Sequence, residues 1–345
     1  MKKNQYEYLP DLLLPWYQIH ARDLPWRKDT HPYHVWISEI MLQQTRVEAV
    51  CSYYKRFLTA LPTVQDLAHV DTDCLLKLWE GLGYYNRARN LQKAAQVIVD
   101  TYKGEFPQTY AEWLKLPGVG PYTAGAVASI SFNQPVAAVD GNVLRVITRV
   151  TENSAPIDLQ ITKNEIKENL ESVYPKKNCG TFTQALMELG AMVCTPKSPK
   201  CGTCPLCSIC LARAHEKMNE LPVKLPKRAK RTEERTVFCL MCGQEIALLK
   251  RADGGLLSGL WQLPNVEDVL SEEDAVYRLE TWNVQPTDLI KTVHATHIFT
   301  HIQWNMRCYY FVCSHKSDLF VWADLDSIQD TYALPTAFRQ FFEND

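Results

Sequence analysis

The sequence predicts a multidomain protein in which an all-α domain precedes a smaller α+β domain with an antiparallel sheet. The chain has 345 residues, which is more than one small domain needs. In residues 1–215, apolar side chains recur at the three- and four-residue spacing of amphipathic helices. In residues 235–345, the apolar segments are short, β-branched and aromatic, which is typical of strands.

The elements follow in chain order, separated by clusters of Pro and Gly. The predicted helices of the first domain are WISEIMLQQTRVEAVCSYYKRFL, LLKLWEGLGYYNRARNLQKAAQVIVDTY, AGAVASISF, NVLRVITRV, KNEIKENLESVY and FTQALMELGAMVC. The predicted strand segments of the second are RTVFCLMC, IALLKR, TVHATHIFTHIQWNMRCYYFVC and LFVWAD, with one helix at SEEDAVYRLETWN. Residues 216–234 form a predicted basic linker, because KLPKRAKR at 224–231 has five basic residues and no acidic one.

Composition narrows the class of protein. No run of 18 apolar residues predicts a membrane span, and the apolar run near the N-terminus is too short for a secretory signal, so we expect a cytoplasmic protein. Its twelve cysteines then indicate a metal site or free thiols rather than disulfides. The net charge of −2 divides into +6 for residues 1–235 and −8 for residues 236–345. A polyanion should therefore contact mainly the first domain.

Five cysteines occur in the 17 residues CTPKSPKCGTCPLCSIC, at 194–210. Zinc sites usually have two CxxC pairs set well apart, whereas such crowding suits thiolates around a compact iron–sulfur cluster. The residues alone leave two ligand sets open. One is the CxxCxxCxxC run from Cys201 to Cys210, and the other is Cys194 with three members of that run. Lys197 and Lys200 in this loop are candidate phosphate contacts or simply solubilising charges.

A predicted helical hairpin spans residues 113–130 and contains the turn LPGVGPYT. Gly118 and Gly120 permit a tight turn and close approach of a partner, with Val119 between them. The unsatisfied N–H groups that begin the second helix favour a phosphate. The hairpin is therefore either a DNA contact or a plain corner between two helices.

Two carboxylates precede or lie within helices. Asp140, in VDGNVLRV, is by itself most simply a helix N-cap. Glu39, in WISEIMLQQTR, falls on a polar stripe with Gln43, which predicts a solvated helix face. Gln44 falls on the apolar side of the same predicted helix, so it must be hydrogen-bonded in the core or lie at an opening.

Together these segments resemble the helix-hairpin-helix DNA glycosylase superfamily. The resemblance rests on LPGVGPYTAGAV followed by VDGNVLRV, and on the spacing Cys-x6-Cys-x2-Cys-x5-Cys of its endonuclease III-like branch. LPWR, WISEIMLQQTRVE and WEGLGYYNRARNL further resemble the adenine DNA glycosylase family over essentially the whole chain. The resemblance implies an all-α helix-hairpin-helix glycosylase domain with a [4Fe–4S] cluster loop. It assigns the ligands to Cys194, Cys201, Cys204 and Cys210, and leaves Cys207 spare.

The resemblance also implies the activity, which is removal of adenine opposite 8-oxoguanine or guanine in double-stranded DNA by a monomer at the nucleoid. It assigns proton delivery to Glu39, charge stabilisation to an ionised Asp140, and orientation of this centre to Tyr122 and Asn142. Bifunctional relatives carry a lysine in place of Tyr122, so we expect base excision without a lyase step. The implied contacts to the bases are Trp26, Arg27, Leu42, Gln43, Gln44, Tyr84 and Gln184, with Gln44 as the wedge and Tyr84 as the intercalating ring beside 8-oxoguanine.

The second domain is similar to the Nudix-like domain that ends this family. It lacks the Gly-bounded carboxylate cluster of a Nudix hydrolase, so the resemblance implies recognition of 8-oxoguanine rather than hydrolysis. The reading loop is identified as Phe299, Thr300 and His301, with threonine where the family has serine. Two alternatives remain in view, which are an endonuclease III-type glycosylase with lyase activity and a non-catalytic iron–sulfur DNA-binding protein.

Overall fold

The computed structural model describes residues 4–226, 229–252 and 254–342. They form two compact units. The first contains residues 4–69 and 90–226, and the second contains residues 70–89 together with the chain from 229 onward. The second unit thus includes a segment from within the predicted first domain. No helix of the described residues is long and apolar enough to cross a membrane.

The first unit is helical. Its helices are α1 (Leu9–His20), α2 (Pro32–Leu42), α3 (Val47–Ala60), α4 (Val64–His69), α6 (Asn86–Tyr102, which begins in the second unit), α7 (Tyr110–Trp113), α8 (Pro121–Phe132), α9 (Gly141–Thr151), α10 (Gln160–Glu171), α11 (Cys179–Met192) and α12 (Leu211–Ala214). Helices α1, α9 and α11 share one apolar core, in which Leu13, Ile147, Phe182 and Leu186 are fully or almost fully buried. The start of α9 lies beside the last turn of α11, where Gly190 faces Asn142.

The prediction of one continuous helix around WISEIMLQQTR is wrong. Helix α2 ends at Leu42 and α3 begins at Val47. Gln44 lies in the intervening turn with a φ of 62° and is exposed. Glu39 was expected on a solvated face, but it is buried among its neighbours. The chain leaves the helix before Gln44, and neighbouring helices cover the side of Glu39, so helical periodicity alone did not place either side chain correctly.

The second unit contains a mixed sheet. Its strands are β1 (Arg231–Cys242), β2 (Glu245–Lys250), β3 (Trp261–Gln262), β4 (Asn265–Val266), β5 (Pro286–Ile298), β6 (Ile302–Cys313) and β7 (Val321–Asp324). The main order is β3-β2-β1-β6-β5, with β4 on β1 and β7 on β2. The expected all-antiparallel sheet is wrong, because β1 and β6 pair in parallel from Arg231↔Ile302 to Met241↔Val312. The long connection between them permits this pairing.

The remaining elements of the second unit are helical. They are α5 (Thr72–Leu78), α13 (Glu272–Thr281), α14 (Leu325–Thr331) and α15 (Thr336–Arg339). Strand β1 begins at Arg231, inside the segment predicted as linker. Residues 227 and 228 of the KLPKRAKR segment lie outside the described residues.

Candidate active site

Three helix segments of the first unit bring together two carboxyl groups and a phenol. Glu39 comes from the last turn of α2, Tyr122 from the first turn of α8, and Asp140 caps the N-terminus of α9. All three line one cavity of about 170 Å³. The Tyr122 hydroxyl donates a hydrogen bond to Oε2 of Glu39. The chain thus assembles an acid–carboxylate pair in a confined space.

Glu39 has the environment of a proton donor. Only 5% of its surface is exposed. Burial raises the pKa of Glu39 to about 7, and the nearby Asp140 adds to the effect, while the Tyr122 hydrogen bond and the Arg27 charge oppose it. Because this value lies near neutrality, the carboxyl can hold a proton and release it at physiological pH.

Asp140 has the hydrogen-bond pattern of a carboxylate. Oδ1 accepts the backbone N–H of Val143 at 2.7 Å, and Oδ2 accepts the amide of Asn142 at 2.7 Å. Burial raises the pKa of Asp140, whereas these donors and the charge of Arg145 act against that rise. Acceptance at both oxygens favours the ionised form.

Arg145 holds the side chain of Asn142 in place. Oδ1 of Asn142 accepts Nη2 of Arg145 at 2.8 Å, and Nε of Arg145 donates to the carbonyl of Cys194 at 2.7 Å. A Cβ added to Gly190 on α11 would lie 2.6 Å from Cβ of Asn142, so only glycine allows this close approach. Asn142 therefore orients Asp140, and Arg145 is a positioning residue that the sequence did not reveal.

An ion-pair network of Glu188 with Arg22 and Arg27 lines another side of the cavity. Oε1 of Glu188 accepts Nε of Arg22 at 2.8 Å, and Oε2 accepts Nη2 of Arg27 at 2.8 Å. The pKa of Glu188 falls to about 2 because these guanidinium hydrogen bonds outweigh the effect of burial. The family resemblance placed Arg27 at the base pocket but did not indicate Glu188 as its partner. Glu188 lies four residues after Gln184 on α11, and this spacing was the feature of the sequence that could have indicated it.

The expected base-contacting residues divide into two groups. Trp26, Arg27, Leu42 and Gln184 line the cavity. Oε1 of Gln184 accepts the Tyr17 hydroxyl at 3.0 Å, which leaves its amide donors for a ligand. Gln43 and Gln44 do not line this cavity; Nε2 of Gln43 donates to Thr123 at 3.3 Å.

Glu188→Gln is expected to destabilise the fold. Loss of the charge leaves two partly buried guanidinium groups without their counterion, which costs about 3 kcal/mol. Because the folded pKa of about 2 lies below the ordinary 4.5, the contribution of Glu188 is complete above pH 4.5 and is lost as the pH falls towards 2. Urea unfolding followed by circular dichroism tests this, with the exposed Glu165→Gln on α10 as control. Equal stabilities at pH 7 would contradict it.

The predicted hairpin is present between α7 and α8. Gly118 has a φ of +72°, and a Cβ there would lie 2.5 Å from Cβ of Asn90. Val119 is buried, and Gly120 precedes Pro121 without a side-chain cap on the helix. No side chain caps the N-terminus of α8, and an uncapped helix N-terminus suits an anionic ligand.

The five cysteines of residues 194–210 gather around one small cavity beside α9. Burial raises the pKa of Cys204, and the neighbouring thiols of Cys194, Cys201 and Cys210 raise it further. Nη1 of Arg149 donates to Sγ of Cys194 at 3.3 Å. In the described chain no group of three metal-binding side chains is placed to hold a metal ion. The donor chemistry nevertheless fits a thiolate-bound cluster, since the thiols line one cavity and the buried guanidinium of Arg149 donates to one of them.

A polar pair in the second unit joins two distant segments. The hydroxyl of Tyr84, which has a φ of 48° and is about half exposed, lies 2.5 Å from Oγ1 of Thr300. Phe299 packs edge-on against Trp304 with ring centroids 4.8 Å apart. Thr300 and His301 are exposed at the tip between β5 and β6, so this loop is fixed at its base and open at its tip.

Comparison with known proteins identifies both parts of the chain. Residues 37–176 match the HhH-GPD superfamily of base excision DNA repair proteins, and residues 236–344 match the NUDIX domain. The chain is 36% identical to adenine DNA glycosylase of Rattus norvegicus, over 86% of this chain and 69% of that protein. It is 32% identical to adenine DNA glycosylase of Buchnera aphidicola from Acyrthosiphon pisum, over 96% of both chains.

Solved structures agree with the helical part. A thermostable thymine-DNA glycosylase is 30% identical with a TM-score of 0.56, covering 61% of this chain and 97% of that one. An endonuclease III–DNA covalent intermediate is 29% identical with a TM-score of 0.54, covering 63% of this chain and 99% of that one. The predicted pairing of a helix-hairpin-helix glycosylase domain with a Nudix-like domain is confirmed.

Proposed function

Since this chain belongs to the adenine DNA glycosylases of the HhH-GPD superfamily, we propose that it hydrolyses the N-glycosidic bond of adenine opposite 8-oxoguanine or guanine in duplex DNA, without cleaving the strand. Base excision by an adenine DNA glycosylase is the activity shared by these relatives. The observation that carries the mechanism is the buried Glu39, with a pKa of about 7, beside Asp140 in one cavity.

Adenine must leave the duplex before these groups can reach it. Gln44, exposed on its turn, is suited to fill the space that the base vacates, and Tyr84 offers a ring for stacking on the opposite base. The extruded adenine enters the cavity between Trp26 and Gln184. Lys197 and Lys200 are exposed in the cysteine loop and join the hairpin amides as phosphate contacts.

Glu39 gives its proton to a ring nitrogen of adenine, which makes the base a better leaving group. Departure of the base leaves positive charge on the sugar, and ionised Asp140 stabilises that charge. Glu39, now a carboxylate, removes a proton from the attacking water. Tyr122 supplies a phenol where a Schiff-base lysine would be needed for strand cleavage, so the reaction ends at the abasic site.

The excision rate is expected to fall as the pH rises through about 7, because Glu39 then loses the proton it must donate. Single-turnover rates between pH 5 and 9 would measure this. The stability of the fold should change with pH in the same direction. Because the pKa of Glu39 is higher in the folded protein, protonation of Glu39 contributes fully to stability below pH 4.5, and this contribution is lost as the pH rises through about 7. A rate that kept increasing above pH 8 would contradict the assignment.

The C-terminal domain recognises 8-oxoguanine through the loop Phe299, Thr300 and His301. The contact between Thr300 and Tyr84 supports this proposal, because it brings the loop and the stacking ring to one place. Thr300→Ala should lower the preference for adenine opposite 8-oxoguanine over adenine opposite guanine by about fivefold, the value of one hydrogen bond. Thr300→Ser should keep it. Measured kcat/KM ratios that do not change in Thr300→Ala would remove Thr300 from recognition.

The cysteine loop holds a [4Fe–4S] cluster through Cys194, Cys201, Cys204 and Cys210. This set is supported because, in addition to burial, Cys194, Cys201 and Cys210 raise the pKa of Cys204 electrostatically, and Cys194 and Cys201 raise that of Cys210; Cys207 lines the same cavity as the spare thiol. When bound, the cluster supplies a covalent cross-link that orders the loop carrying Lys197 and Lys200. Iron and sulfide analysis with visible absorbance tests the proposal.

The defining experiment is a single-turnover assay on a labelled duplex with adenine opposite 8-oxoguanine, with each sample divided and half treated with hot alkali. Strand cleavage only after alkali supports excision by a monofunctional enzyme. Cleavage without alkali, in a preparation free of nuclease, would favour a lyase, and no cleavage despite binding would favour a DNA-binding protein. We further propose that the enzyme acts as a monomer at the nucleoid, which sedimentation of the DNA complex would test.

A further inference from the structure

A second, larger cavity adjoins the active-site cavity in the first unit. It has a volume of about 520 Å³. Tyr122 and Asp140 line both cavities, whereas Glu39 lines only the smaller one. The catalytic phenol and carboxylate therefore stand between two spaces, only one of which has been assigned.

The second cavity has an apolar lining with charged side chains along part of it. Helix α10 contributes Lys163 and Lys167, together with the exposed Glu168, and residues from the first turns of α8 and α9 also line the cavity. Nζ of Lys167 lies 2.6 Å from Oε1 of Glu171 and 4.9 Å from the centre of the Tyr110 ring, so its charge is largely compensated.

Lys163 differs from Lys167 in this respect. Among the described residues it has no ion pair, and its side chain is half-buried at the cavity. Helix α8, which also opens here at Pro121, has no side-chain cap at its N-terminus. A cation without an ion pair and an uncapped helix N-terminus at the same cavity favour an anionic ligand over a neutral one.

The connectivity of a nucleotide decides which anion fits. In a nucleotide the base and the flanking phosphates leave the sugar in different directions. If the base occupies the smaller cavity and Asp140 faces the anomeric carbon, the sugar-phosphate must leave on the other side of Tyr122 and Asp140. That side is the second cavity.

We propose that the second cavity binds the phosphodiester adjoining the extruded adenosine, with Lys163 as its cationic contact. This inference rests on the proposed function, since it assumes adenosine in the smaller cavity. Lys163 is then a binding residue for the reacting strand, additional to the hairpin and the cysteine loop. Its contact holds the sugar over Asp140 and does not depend on the identity of the opposite base.

The test is a binding double-mutant cycle on a duplex that cannot react. The duplex carries 2′-fluoro-deoxyadenosine opposite 8-oxoguanine, because fluorine disfavours positive charge at the sugar. Wild type and Lys163→Gln are each measured with all-phosphate DNA, with neutral methylphosphonates on both sides of the adenosine, and with methylphosphonates on the opposite strand. Lys167→Gln is the matched control, and Lys163→Arg retains the charge. Circular dichroism and visible absorbance check each variant for folding.

On all-phosphate DNA, Lys163→Gln should weaken binding about fivefold and lower the slope of log K against log salt by about 0.9. With methylphosphonates beside the adenosine, Lys163→Gln and the wild type should bind almost equally. With methylphosphonates on the opposite strand, Lys163→Gln should still bind more weakly than the wild type by the same factor as on all-phosphate DNA. Lys163→Arg should bind like wild type, and Lys167→Gln should lose less than twofold.

An equal loss for Lys163→Gln on all three duplexes would overturn the proposal, as would an equal loss for Lys167→Gln or no loss at all. Excision of ordinary adenine by the wild type is assayed in parallel. Absence of that excision would refute the proposed function, whereas normal excision without coupling would refute only the phosphate subsite.

Discussion

Glu39→Gln is expected to reduce single-turnover excision of adenine by on the order of 10³-fold or more while leaving binding of the mismatched duplex intact. The amide has the shape of the carboxyl and still accepts the Tyr122 hydroxyl, but it has no acidic proton to give to the base. Rates come from the alkali-split assay, and affinities come from binding to the 2′-fluoro duplex.

The matched control for this variant is Glu165→Gln, an exposed glutamate on α10 that should excise at the wild-type rate. The pH profile gives a second check, since the fall in rate through about pH 7 should disappear with the Glu39 carboxyl. Normal turnover by Glu39→Gln would mean that another group delivers the proton. Loss of binding together with turnover would point to a structural role.

Asp140→Asn is expected to lower the excision rate by about 10³-fold while keeping the N-cap of α9. Asparagine is also a good helix N-cap, so its side-chain oxygen can still accept the backbone N–H of Val143. It cannot stabilise positive charge on the sugar. Thermal unfolding and single-turnover kinetics on the same preparation separate the two roles.

Asp140→Ala completes the comparison, because it removes both the charge and the cap. It should lose about 1 kcal/mol of stability beyond Asp140→Asn, with a similar rate defect. An Asp140→Asn enzyme close to wild type in rate would reduce Asp140 to a helix cap. The isolated motif VDGNVLRV favoured that interpretation.

Much of this site could be predicted because its parts are local. The Pro-Gly-Val-Gly-Pro turn predicts a hairpin from the few residues that form it, and the structure has one there. The cysteine spacing and the helices that begin at Pro121 and Gly141 are local in the same way. Within the family resemblance, these segments also suggested the roles that we propose for Glu39 and Asp140.

Other features depend on contacts between distant segments. The parallel pairing of β1 with β6 joins strands that are 71 residues apart in register, as in Arg231↔Ile302, and the alternation within each strand is the same for either direction. The contact of Tyr84 with Thr300 spans 216 residues. Neither the direction of the strand pairing nor this side-chain contact can be inferred from the residues adjacent to it in the sequence.

The sequence by itself determined the residue types, their local elements and, through its motifs, the family. Only the tertiary structure decided which side chains lose water and which charges meet. Glu39 occupied a polar stripe by helical periodicity, yet neighbouring helices bury it and raise its pKa to about 7. Glu188 has its pKa lowered to about 2 because Arg22 and Arg27 reach it from another part of the chain. Burial and charge pairing are sums over neighbours in space, and a one-dimensional pattern reports only neighbours along the chain.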